Sequence, residues 1–405
     1  MKGTIGLILV AVIVSLVSLG IITYTFTNSA TSIATTAKEV EILKAVDQME
    51  AVKRGLPYLF NYSFSQAIYQ LSKNGGFEFS NWEDFGVPSE SDGPYWRVYE
   101  KTYIPSDYDF YQTAEKLTKR FSEKYFDELE KDVSISFAKE PELNLKSSED
   151  QWHNQWRYQW CTLTIKNGIL EHKGSFFRIE DKVNLPLSVD CSMLGLLKMA
   201  KGKSVDSDWL KELIDKAITS FPSSVSVGDM CEQDVNPEKW LRENYGDVNE
   251  KLKQNISKEV SFLKDLVYGS IEVEVLKTAV KYDSSYTYES SEPNYSECGC
   301  KEWGEPVETD YRGESDEDCN SYCEGRGYDN GYLADDGNCT CRNCKIVHNK
   351  LKGVVYHYNY KGAVSARINI TSYRKHFVYD GQLEIKQPTS IIYVNTSNDY
   401  SYRPF

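Results

Sequence analysis

The chain has 405 residues, 46 of them Lys or Arg and 60 Asp or Glu, for a formal charge of -14. At about 150 residues per domain this length holds two or three folded units, which excludes a peptide or a small stapled scaffold as the whole molecule. The acidic balance excludes a phosphate-neutralising surface, so no nucleic-acid partner is expected, and 29 Tyr with 8 Trp belong to a folded protein rather than a disordered tail.

Residues 5–23 are free of charge, and at about 1.5 Å per residue they nearly span a hydrocarbon core about 30 Å thick, which predicts a leader and membrane helix over 1–24. Lys2 and the α-amino group precede the run and Lys38 is the next charge. This places the N-terminus in the cytoplasm and the bulk of a single-pass chain outside the cell. Removal as a secretory signal is the competing reading, with Ser32-Ile33-Ala34 and Thr35-Thr36-Ala37 as small-x-Ala sites; the apolar run exceeds the roughly 7 to 15 residues usual for such a signal.

In 34–54, Ile42, Ala45, Val46, Met49 and Val52 fall on one arc of about 120° at helical spacing, and Gly55-Leu56-Pro57 supplies a stop. A helical stalk is expected over 25–55. This layout resembles archaeal type IV pilin-like surface proteins, which carry a short basic leader ending in Gly (a class III signal), an apolar helix and an amphipathic continuation packed on a globular head. The resemblance covers about the first 55 residues. It implies processing after Gly3 with Thr4 as the new terminus, and filament subunits as homotypic or heterotypic partners; Ile8 stands where many pilins have an acidic residue. An ordinary signal anchor with a helical stalk is the alternative.

In the head, 58–72 reads as a helix ended by Lys73-Asn74-Gly75-Gly76, 77–107 as loops, and 107–130 as a helix with Phe110, Ala114, Leu117, Phe121 and Tyr125 at helical spacing. Strands follow at 132–137, 156–165 and 174–179, and helices at 187–199, 206–218 and 237–266, the last with Gly246 as a break. Strands are expected again at 270–288, 354–360, 363–372 and 376–385. Without a regular βαβ repeat the class is α+β: a long N-terminal membrane and amphipathic helix, a mixed extracellular head over 56–290, a small disulfide-rich insert over 291–345, and C-terminal strands over 346–405 completing the head.

The insert is the most distinctive segment. Seven of ten cysteines fall in 298–344, and 292–345 holds fourteen acidic and five basic residues, a net of 5 - 14 = -9. So hydrophilic a stretch builds little core and needs covalent staples. In an exported chain this density means disulfides before zinc, although Cys319/Cys323 and Cys341/Cys344 with His348 form the zinc alternative. Cys319 and Cys323 share a helix face, Cys339 and Cys341 a strand face, so two parallel bridges can sew one to the other. The run CNSYCEGRGYDNGYLADDGNCTCRNC resembles the cysteine-stabilised helix and strand scaffold of defensins and knottins. That resemblance implies bridges from Cys319 to Cys339 and from Cys323 to Cys341, with Leu333 where the family has another Cys. Cys298, Cys300 and Cys344 remain to close the base, one of them pairing with Cys161, Cys191 or Cys231. Glu314 to Asp318 and the Asp335-Asp336-Gly337-Asn338 turn lack the spacing of a calcium loop and read as a solvated acidic face and helix N-terminus.

Sequons at Asn61, Asn255, Asn294, Asn369 and Asn395 are glycosylation candidates, while Asn338 has Cys339 as its middle residue. No H-E-x-x-H, G-x-S-x-G or dinucleotide fingerprint occurs, and Gly202-Lys203-Ser204 reads as a turn because Gly195 is misplaced for a phosphate loop. His153, His172, His348, His357 and His376 are scattered. No enzyme activity, metal or cofactor is therefore expected, and the chain reads as a minor filament subunit or adhesin; the alternatives are a single-pass receptor presenting the Cys-rich module and, behind it, a cell-surface carbohydrate-active enzyme, whose paired carboxylates carry no sequence spacing. Trp156, Tyr158 and Trp160 would share a strand face able to stack on a surface glycan or on a protein ligand, or would fill the core.

Overall fold

The computed structural model describes residues 37–105, 107–147, 160–174, 177–260, 268–379, 382–399 and 401–405. Gly3, Thr4 and the apolar run 5–23 lie outside them, as do Trp156 and Tyr158. The α+β class is observed, but the long membrane helix in the expected fold is corrected: among the described residues no helix is long and apolar enough to cross a membrane. The first described helix, Ala37–Lys73, is instead charge-studded at its start. It runs through the expected stop, with Pro57 inside it. The missing proline N–H costs about 3 kcal/mol. Leu56, Leu59, Phe60 and Phe64 are all buried here, and at about 1.5 to 3 kcal/mol each their packing outweighs that cost.

The chain divides into two compact units, the first comprising Met1–Ile214, Lys253–Thr278 and Ala363–Phe405, the second Asp215–Leu252 and Ala279–Gly362. In the first, helix Ala37–Lys73 packs on helix Phe110–Val133, with the Tyr62 and Tyr125 rings 5.1 Å apart. The second helix is capped by Asp109, whose carboxylate accepts the Tyr111 N–H. The Ala37–Lys73 helix stops where expected, since Gly75 and Gly76 both adopt positive φ.

An antiparallel sheet of Ile135–Lys139, Glu142–Ser147, Trp160–Lys173 and Arg178–Asp190 lies in the same unit. Among the described residues Arg178–Asp190 pairs with Trp160–Lys173 alone and so forms an edge. That position accommodates Pro186, and the strand continues where a helix was expected from 187. The helix begins at Ser192 instead, after Asp190 accepts both the N–H and the hydroxyl of Ser192. Cys161 is bridged to Cys191 at this junction. A further sheet places Gly93–Val98 parallel to Thr389–Ser397, which runs antiparallel to residues 363–371 of strand Asn349–Ser372. Trp96 is fully enclosed beneath it and donates its indole N–H to the Gly75 carbonyl at 2.7 Å.

In the second unit, strand Ser224–Cys231 runs antiparallel to the first part of Asn349–Ser372. Tyr356, Tyr358 and Tyr360 alternate along that strand and are buried. The Tyr358 hydroxyl donates to Pro237 O at 2.7 Å and that of Tyr360 to Pro222 O at 3.1 Å. Burial, with neighbouring Tyr356 and Tyr282, lifts the Tyr358 phenol to about 12. Gly246, with φ +86°, separates helices Pro237–Asn244 and Val248–Val260, the break expected there.

Candidate functional site

All ten cysteines are bridged. Cys319 is joined to Cys339 and Cys323 to Cys341, fastening helix Asp316–Gly325 to strand Asn338–Arg342. Cys300 joins Cys344 across the base, and Cys298 joins Cys231. The zinc alternative for the cluster has no thiols left to use.

The module follows from its local sequence. Ser315 caps the helix by accepting the Asp318 N–H, and Asp316, Glu317 and Asp318 sit in its first turn, where the dipole favours them. Two of these carboxylates also hold backbone: Asp318 accepts the Glu314 N–H and Asp316 that of Leu333. Asp336 accepts the Asn338 N–H in the following turn. These groups organise loops, and among the described residues no group of three or more His, Cys, Asp or Glu is placed to hold a metal ion. Strand Asn338–Arg342 lies between Val307–Arg312 and Asn330–Leu333. At Gly331 the strand passes so close to the helix that a Cβ would strike Cys319 O and Cys323 Sγ, which explains a glycine there.

On one face, Glu308, Asp310, Tyr311, Tyr322, Arg326 and Tyr328 line an open concavity of about 560 Å³. The Tyr311 and Tyr322 rings are stacked, centroids 4.0 Å apart and planes within 6°, and the Arg326 guanidinium lies 5.2 Å from the Tyr322 centroid. Asp318, within hydrogen-bond reach of the Tyr311 hydroxyl, raises that phenol above its ordinary value by its charge. Glu308 and Asp310 are exposed and form no ion pair among the described residues. A pre-stacked aromatic wall flanked by free carboxylates and a guanidinium suits ligand contact by ring faces and by charge. The Thr309 hydroxyl also lines it and donates to Cys339 O at 2.6 Å.

Tyr311, Tyr322, Arg326 and Tyr328 were not singled out from sequence. Tyr322 and Arg326 carry the i, i+4 signal of one helix face, whereas the Tyr311 contact crosses elements and leaves no spacing signal. Trp160 is 46% exposed, with Arg374 5.7 Å from its ring; the other two rings of the expected stacking face, Trp156 and Tyr158, lie outside the described residues. Among the sequons, Asn61 is exposed and Asn255 and Asn369 are half-buried. Asn294 caps a helix by accepting the Glu297 N–H. Asn395 is corrected as a glycosylation candidate: at 5% exposure within strand Thr389–Ser397 it is closed to a glycan.

Comparison with known protein families, with curated proteins and with solved structures found no match for this chain.

Proposed function

We propose that this is an exported, non-catalytic binding protein of the cell surface, an adhesin whose disulfide-stapled module presents the recognition face to a surface glycan or protein. Pairing of every cysteine supports an oxidising compartment. The observation that carries the binding role is the module's construction: its interior is the four bridged sulfurs of Cys319, Cys323, Cys339 and Cys341, all fully buried. Its aromatic and charged side chains are turned outward around the concavity. A segment fixed by covalent staples frees its side chains for contact and loses little entropy on binding.

The test replaces residues 301–343 with a short Gly-Ser linker, retaining Cys300 and Cys344, and compares binding to envelopes of the producing organism. Parent protein binds saturably. The replacement and a Tyr311→Ala, Tyr328→Ala variant lose at least about tenfold, the scale of aromatic hot spots. Undiminished binding by both variants refutes the reading.

A second reading, association of copies through the first helix as in a filament subunit, is favoured by Val40, Ile42, Leu43 and Val46, which are all exposed on Ala37–Lys73. It predicts concentration-dependent assembly that Leu43→Glu abolishes, seen by sedimentation and negative-stain microscopy.

A further inference from the structure

In the first unit, the end of helix Ser192–Ser204 and Trp209 enclose an apolar pocket of about 290 Å³ together with strands Gly269–Thr287 and Asn349–Ser372. Met199, Trp209, Ile271, Val273 and Ile368 form its walls. Ile271 and Ile368 are buried, so the floor is apolar, and the Tyr268 hydroxyl fixes one wall by donating to Met199 Sδ at 3.5 Å. Gly202-Lys203-Ser204 is the last turn of the helix rather than a free turn, and Gly202 and Lys203 stand at the pocket.

The polar groups at the mouth are few and their roles are separable. The Ser204 hydroxyl donates to Ala200 O at 2.6 Å and the Ser207 hydroxyl to Lys203 O at 2.7 Å, so neither proton is free for a ligand. Lys201 faces Asp206 at 3.9 Å. Lys203 is exposed and forms no ion pair among the described residues. A helix C-terminus is the negative end of its dipole and disfavours anions, so the lysine it holds comfortably offsets that field for a single carboxylate but not for a polyphosphate. What remains among the described residues is an apolar chamber with an available cation, Lys203, at its rim.

We propose that this pocket binds a small amphiphile: an apolar tail inside the chamber and a single carboxylate on Lys203. Volume sets the size. An apolar cavity of about 150 Å³ accommodates benzene, so one of about 290 Å³ takes roughly twice that, about a dozen heavy atoms. Decanoate has that size and charge, and decanol shares the tail without the charge.

Calorimetric titration of the full chain with each probe, below their aggregation concentrations, tests the proposal. The expected result is one saturable site, with decanoate bound about two- to fivefold tighter than decanol, the range of a partly exposed ion pair. Lys203→Met, which removes the charge at the rim and leaves the core alone, erases this preference. Val273→Trp fills the chamber and weakens both probes at least about tenfold. Binding that Val273→Trp does not diminish belongs to another apolar segment and overturns the proposal. So does the absence of a saturable site below millimolar, or an unchanged decanoate preference in Lys203→Met.

Discussion

Replacing Cys323 and Cys341 together by Ala isolates what one staple does for the module. The bridge closes a separation of 18 residues, and the chain-entropy relation for that loop gives about 3 kcal/mol of stabilisation. No buried Leu, Ile, Val or Phe lies between Cys300 and Cys344 to compensate, so the loss should be felt locally. Hydrogen exchange read by mass spectrometry on peptides covering Asn330–Leu333 and Asn338–Arg342 is the assay. About 3 kcal/mol corresponds to roughly a hundredfold faster exchange for their best-protected amides. Peptides from Phe110–Val133, in the other unit, should exchange as in the parent. Unchanged protection of the module strands would refute the view that sulfur replaces an apolar core there, and loss spreading to Phe110–Val133 would refute its local character.

Cys161→Ala with Cys191→Ala opens a separation of 30 residues and should cost about 3 to 4 kcal/mol in urea denaturation. Gly331→Ala should destabilise the module by at least about 1 to 3 kcal/mol, because the added methyl meets backbone and a bridged sulfur that cannot swing aside; exchange of the Asn330–Leu333 amides reads it. Pro57→Ala should stabilise the protein by about 2 kcal/mol, restoring a helical N–H at the expense of a freer unfolded chain, seen as a higher denaturation midpoint. His376 is held below its ordinary value by burial, partly offset by the charge of Asp190. Its unfolded form binds the proton first, so its contribution to stability is complete above about pH 6.5 and declines as pH falls below that. His376→Gln should flatten the dependence of the urea midpoint on pH in that window.

The parts of the fold that could be read in advance are those in which a local rule and the packing agree. Gly75-Gly76 ends a helix and Gly246 breaks one because only positive φ serves at each turn. Helix and strand periodicities put the module's thiols on facing sides, and the pairing observed, Cys319 to Cys339 and Cys323 to Cys341, is the one implied by the resemblance to the cysteine-stabilised helix and strand scaffold. The misreadings arise where packing overrules a local signal. Pro57 signals a stop, but the burial of Leu56 and Phe60 carries the helix past it. Pro186 signals a helix start, but an edge strand tolerates it. The concavity was half legible: Tyr322 and Arg326 follow from one helix face, whereas Tyr311 reaches them only through the pairing of Val307–Arg312 with the sulfur-bridged strand.

The bridge between Cys300 and Cys344 brings the two ends of the stapled segment to a Cα separation of 5.6 Å. A segment whose ends nearly coincide is topologically a loop, and beyond that gap it touches its host at Tyr295, which meets Trp303 edge-on and donates to Asp329 O, and at Glu232, which pairs with Lys301. Away from those contacts its interior can be rewritten in length, charge and aromatic content without altering the strand register outside it. The segment has the geometry of an exchangeable cassette, whose surface can change while the scaffold is left alone.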